Sequence, residues 1–151
     1  MRSTVSRSTR ARAFLVAAAV VAVSLLQGCM LFAKPPADLD YSRTRTSESG
    51  SYRATIRPEG DSIPKGKLQR WTLHLETTQG AMVDSAKVTV DGGMPQHGHG
   101  LPTKPRVTRQ LGHGDHLVEG MKFNMGGWWV VKFRVASVAA GTDSVVFNVK
   151  L

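Results

Sequence analysis

From Tyr52 to the C-terminus the chain repeats one pattern: apolar residues at every second position, in short runs broken by glycine, proline and polar residues. A period of two puts alternate side chains on opposite faces of an extended strand, so each run has one face to bury. Leu68–Glu76 sets Trp71, Leu73 and Leu75 against Thr72, His74 and Glu76. Trp128–Val135 sets Trp129, Val131, Phe133 and Val135 against Lys132 and Arg134. Ser144–Leu151 does the same with Val145, Phe147, Val149 and Leu151. Tyr52–Ile56, Ala86–Asp91, Arg106–Leu111 and His116–Gly120 complete a set of about seven strands, the last two flanking Gly112-His113-Gly114. One-faced strands of this number and spacing predict an all-β domain over 51–151, an immunoglobulin-like antiparallel β-sandwich, with a barrel as the alternative. No strong helix is expected there. Trp71 and Trp129 read as core, and His74 as a solvated residue on an outer face.

The first 28 residues differ in kind. Arg2, Arg7, Arg10 and Arg12 precede an apolar run at 13–26 interrupted only by Ser24. As a helix that run would measure about 21 Å, short of the ~30 Å hydrocarbon core of a bilayer, so it reads as an export signal. It ends in Leu26-Gln27-Gly28-Cys29. This resembles a bacterial lipobox, which implies cleavage before Cys29, lipidation of that residue, and anchorage of the chain in the cell envelope facing the periplasm. By the same resemblance, Met30 after the Cys favours the outer membrane. Residues 30–50, with Pro35-Pro36 and many Ser, Thr and Arg, read as a flexible tether of up to roughly 70 Å at ~3.3 Å per residue.

Charge bears on the partner. The whole chain carries +9, which alone would suggest nucleic acid. Four of those charges lie in the export segment, leaving 16 basic residues against 11 acids, and the remainder do not interleave with aromatics as a nucleic-acid platform requires. Nucleic acid is therefore not an expected partner. Cys29 is the single cysteine, so lipidation would leave a thiol-free domain suited to an oxidising compartment.

No nucleophile–base spacing, phosphate loop or zinc-protease motif is present, and no enzymatic activity is expected. The distinctive run is Asp91-Gly-Gly-Met94-Pro95-Gln96-His97-Gly98-His99-Gly100, followed later by Gly120-Met121-Lys-Phe-Asn-Met125-Gly-Gly. Imidazoles at i and i+2 share one side of an extended backbone. Imidazole with thioether and no thiolate is a donor set for copper, with methionine favouring Cu(I). In an antiparallel sandwich alternate loops share a pole, so the third inter-strand loop and the fifth meet. The expected metal ligands are Met94, His97, His99, Met121 and Met125. His113 and His116 fall at the other pole and read as a solvent-facing turn.

The segments MPQHGHGLPTKPRVT (94–108) and LVEGMKFNMGGWWVVKF (117–133) together resemble the YtkA-like, FixH-related domain family. The resemblance implies a small exported immunoglobulin-like sandwich, some of whose relatives are linked to copper delivery or to assembly of copper oxidases. It carries the same five Met and His positions over as ligands. Gly126 and Val130 depart from the family pattern, which affects the geometry of the second loop. Two functions follow as expectations. One is an envelope lipoprotein that binds copper and buffers it or passes it to a partner protein. The other is a metal-free structural or interaction module of an envelope complex.

Overall fold

The computed structural model describes residues 34–151. Residues 1–28, expected to be an export segment, and Cys29, the expected lipidation site, lie outside the described residues. From Pro35 to Leu151 the chain forms one compact unit. Its strands are β1 (Thr44–Thr46), β2 (Tyr52–Pro58), β3 (Gln69–Thr77), β4 (Lys87–Met94), β5 (His99–Gly100), β6 (Arg106–Gly112), β7 (Asp115–Met121), β8 (Trp128–Ser137) and β9 (Gly141–Lys150). Seven coincide with the runs expected from alternation. The two additions, β1 and β5, have three and two residues, too few to display a period.

Strand order is β1-β2-β3-β7-β6-β4-β8-β9, antiparallel wherever neighbours pair, with β5 on β4. The path has one weak link. β6 and β4 share a single ladder pair, Thr89 with Arg106, whereas β8 and β9 pair along ten positions from Trp128–Lys150 to Ser137–Gly141. Cut at that link, the seven long strands, lettered in chain order, fall into A-B-E-D and C-F-G. That is the arrangement of an immunoglobulin constant-type sandwich. At the far edges the β1–β2 turn reaches β9, with Glu48 N donating to Ser144 O at 2.7 Å, so the sandwich is nearly closed into a barrel.

The inner faces are those the alternation marks. β3 buries Trp71, Leu73 and Leu75, β8 buries Trp129, Val131, Phe133 and Val135, and β9 buries Val145, Phe147 and Val149. Each such side chain contributes about 1.5–3 kcal/mol by leaving water. Phe123, from the β7–β8 loop, joins the two sheets. Its ring stacks on Trp71 at 5.7 Å and meets Trp129 edge-on at 5.3 Å.

Two expectations change. The sheet begins at Thr44 and not at Ser51, so the segment expected to be a free tether over 30–50 contributes β1 to the edge of β2. Further upstream, Asn148 Nδ2 donates to Asp40 O at 3.0 Å, and Tyr41 and Arg43 border a hollow with Asn148, Val149 and Lys150. An edge strand buries little, and the sequence Thr-Arg-Thr has no apolar face to announce it.

The second correction is His116, which is fully buried rather than part of a solvent-facing turn. It sits two residues before buried Val118 on the inward parity of β7. Its Nε2–H donates to Val83 O at 2.8 Å, and its Nδ1 has no hydrogen-bond partner among the described residues. His113, in the β6–β7 turn itself, is exposed with φ +53°.

Candidate metal centre

The β4–β6 loop is built by local backbone constraints. Pro95 opens a single 3₁₀ turn over Pro95–His97, and Gly98 ends it in the left-handed region at φ 64°. Gly98 N donates back to Met94 O at 3.0 Å. His99 and Gly100 then return along β4 as β5, pairing Met94 with His99 and Gly93 with Gly100. The return is so close that a Cβ on Gly93 would stand 2.5 Å from His99 O. Only glycine fits there, and Gly92 is required by β8 instead, where a Cβ would collide with Val130 O.

This turn brings the two imidazoles together, with ring centroids 5.9 Å apart and planes inclined at 31°. One metal ion bound by two imidazoles at roughly 2.1 Å allows centroids up to about 6.4 Å apart, so the separation is compatible with a shared ion. His99 Nδ1–H donates to Gly100 O at 3.0 Å, which leaves the Nε2 lone pair for a ligand. Its ring also abuts Trp129 edge-on at 5.5 Å. Rings thus run in contact from buried Trp71 through Phe123, Trp129 and His99 to exposed His97.

The β7–β8 loop lies against this turn, as alternate loops of an antiparallel sandwich should. Gln96 Oε1 accepts from Trp128 N at 3.4 Å, and Trp129 Nε1 donates to Met125 O at 3.1 Å. Met94 Cε reaches the backbone at Gly127, where a Cβ would be 2.7 Å away. Gly127 has φ +120° and exchanges backbone hydrogen bonds with Leu151 in both directions at 3.1 Å.

The five expected ligands therefore divide. His97 and His99 are adjacent at the surface of the pole. Met94 is 2% exposed and spans from the first loop to the second. Met125 is partly buried against the core, beside the base of Trp129. Met121 is fully buried in the core and pairs with Gln69 across the β7–β3 ladder, so a ligand role for it requires the inner wall of the sandwich to open. Among the described residues, no group of three or more His, Cys, Asp or Glu side chains is positioned to hold a metal ion.

Reasoning from sequence missed two polar networks at the opposite pole. His74 faces outward as expected, but its Nδ1–H donates to Asp115 Oδ1 at 2.7 Å, and Arg57 bridges to the same carboxylate at 3.2 Å. Asp143 is buried at the start of β9. Burial would raise its carboxyl. The Ser47 hydroxyl and the amides of Ser144, Ser51 and Ser49 outweigh that by hydrogen bonding to the charged form, and lower it from 3.8 to about 2. The available signal was parity: Asp143 shares the inward register of Val145 and Phe147.

These features define the class: a small antiparallel β domain with immunoglobulin-type strand order and a Met/His loop pair at one pole. The chain belongs to the YtkA-like family, whose model matches residues 46–134 and so includes both loops. Among solved structures, the ZirS C-terminal domain is similar at 9% identity with a TM-score of 0.37, over 80% of this chain and 84% of that one. No curated protein matches the chain.

Proposed function

We propose that the protein is an envelope-anchored lipoprotein that binds copper at the His97/His99 pole and buffers it or hands it to a partner protein. The single observation that carries this reading is the 5.9 Å pairing of two imidazoles in a loop whose Met94 reaches Gly127 of the Met125-bearing loop. His97 and His99 would hold the ion, and Met94 and Met125 are the thioethers closest to the loop contacts. Met121, fully buried in the core, would join them only if the inner wall of the sandwich opened. Imidazole and thioether suit Cu(I), and ligands on a surface turn exchange readily, as transfer requires. Cys29 would carry the lipid, and no catalytic role is assigned.

The contact between His99 and Trp129 supplies the readout. Copper at His99 should quench Trp129 emission. Cu(I), under anaerobic conditions with a competing chelator, and Cu(II) are titrated into the full chain carrying Cys29→Ser. Saturable quenching at one equivalent, lost in His97→Ala/His99→Ala, supports the site. Unchanged binding in that double variant overturns it.

A further inference from the structure

The seam between the two sheets is closed at one end, where β5 and Leu101 cover β4 and Thr89 pairs with Arg106, and it opens toward Lys87 and Gln110. β4 and β6 run antiparallel and meet only at Thr89 and Arg106. Continuing that register would pair Lys87 with Thr108 and Ser85 with Gln110, and neither pair forms. β4 is occupied on its other side by β8, and β6 by β7. The strands diverge past Thr89, leaving one strand edge on each side of a groove of about 580 Å3.

The groove has a distinct floor and walls. Ala86, Val88 and Val107 line it and pack, partly buried, against the core. Lys87 and Arg109 are exposed and also line it. No acidic side chain is among its lining residues, and the ion pairs among the described residues include neither Lys87 nor Arg109. Arg106, in contrast, faces Glu119 across the β6–β7 ladder.

We infer that this groove is a strand-addition site, in which an extended acidic segment of a partner protein pairs with the outer edge of β6. A β-strand presents alternate side chains to opposite sides. In the groove, one set would be small and apolar, resting on Ala86, Val88 and Val107. The other set would be carboxylates meeting Lys87 and Arg109. Main-chain hydrogen bonds to the free edge supply affinity, and the alternation supplies selectivity. A second copy of this chain is disfavoured as occupant because its own edge brings the same two cations, and like charges placed together on an edge oppose pairing. The site lies away from the His97/His99 loop and does not depend on copper.

The test uses the full chain in detergent micelles, without added metal. The probe is a synthetic peptide of about seven residues alternating valine with aspartate or glutamate. Saturable binding is expected, with amide NMR shifts concentrated in Ser85–Thr89 and Arg106–Gly112. Lys87→Glu with Arg109→Glu, both at exposed positions, should weaken binding at least about tenfold without changing the melting temperature. A peptide of equal charge with proline at alternate positions lacks the N–H groups a ladder needs, and should also bind at least about tenfold more weakly. Equal binding of the proline peptide would overturn strand addition. So would shifts confined to another surface, or capture of the protein by anionic phosphatidylglycerol vesicles with no peptide binding.

Discussion

The two poles of this sandwich are held by different chemistry. At the pole formed by the β3–β4, β6–β7 and β8–β9 turns, buried or half-buried polar groups are tied to the backbone. His116 bonds Val83, Asp84 Oδ1 accepts from Gly114 N at 2.6 Å, and Asp143 gathers the amides of the β1–β2 turn. At the pole formed by the β4–β6 and β7–β8 loops, the connections run through rings, a thioether and glycine backbone. Histidine occurs at both. At the first pole His116 is a fixed part of the core, whereas His113 is exposed in the β6–β7 turn. At the second, His97 and His99 lie in a surface turn, and the Nε2 of His99 can serve a ligand. The residue type alone says nothing of role; strand parity and the neighbouring acceptors decide it.

Four measurements sharpen or break that contrast. The largest effect is expected from His116→Ala, which removes a fully buried side chain and its bond to Val83. It should cost about 3 kcal/mol in urea unfolding and leave copper affinity unchanged. A stable variant with weakened copper binding would erase the distinction between poles. Next is Asp143→Asn, expected to cost about 2 kcal/mol at neutral pH through lost charge-assisted hydrogen bonds. Because the folded carboxyl is lowered to about 2 from 3.8, its contribution is fully present above the unfolded value. It is lost as pH falls through about 2, so the gap between wild type and variant should close below about pH 4. A gap independent of pH would remove the carboxylate from the account.

Gly127→Ala comes third. At φ +120°, and with the new Cβ meeting Met94 Cε, it should cost about 1 kcal/mol and displace the Met94 side chain. Copper affinity should fall with it. Unchanged affinity would remove Met94 from the ligand set. The smallest effect on stability is expected for His97→Ala/His99→Ala, under about 1 kcal/mol by thermal or urea unfolding, since both rings lie at the surface turn. A larger loss would make these histidines structural, like His116.

The fold was legible because its strands are strongly one-faced. Trp71, Leu73 and Leu75, or Trp129, Val131, Phe133 and Val135, admit one register with respect to the core. Loop parity then followed from antiparallel order, and the contacts of Met94 with Gly127 and of Gln96 with Trp128 agree with it. β1 was not legible, because an edge strand of three polar residues is held by backbone pairing and by its neighbours, not by a face of its own. His116 was legible in principle, since it shares parity with Val118, but its polarity and the adjacent glycine turn pointed outward. Met121 shows the reverse difficulty: a methionine in a motif and a methionine in a core have the same sequence signature.

The bond from Asn148 to Asp40 determines where the chain joins the domain. β1 runs from a start opposite Thr55 toward the β8–β9 turn, so the backbone upstream of it departs beside the last residues of β9. That is the end where Leu151 pairs with Gly127 and where the imidazoles sit. Asn148 thus couples the entry of the domain to the end that carries His97 and His99, so replacing it should loosen residues 40–43 at that end and leave the Asp143 pole unchanged.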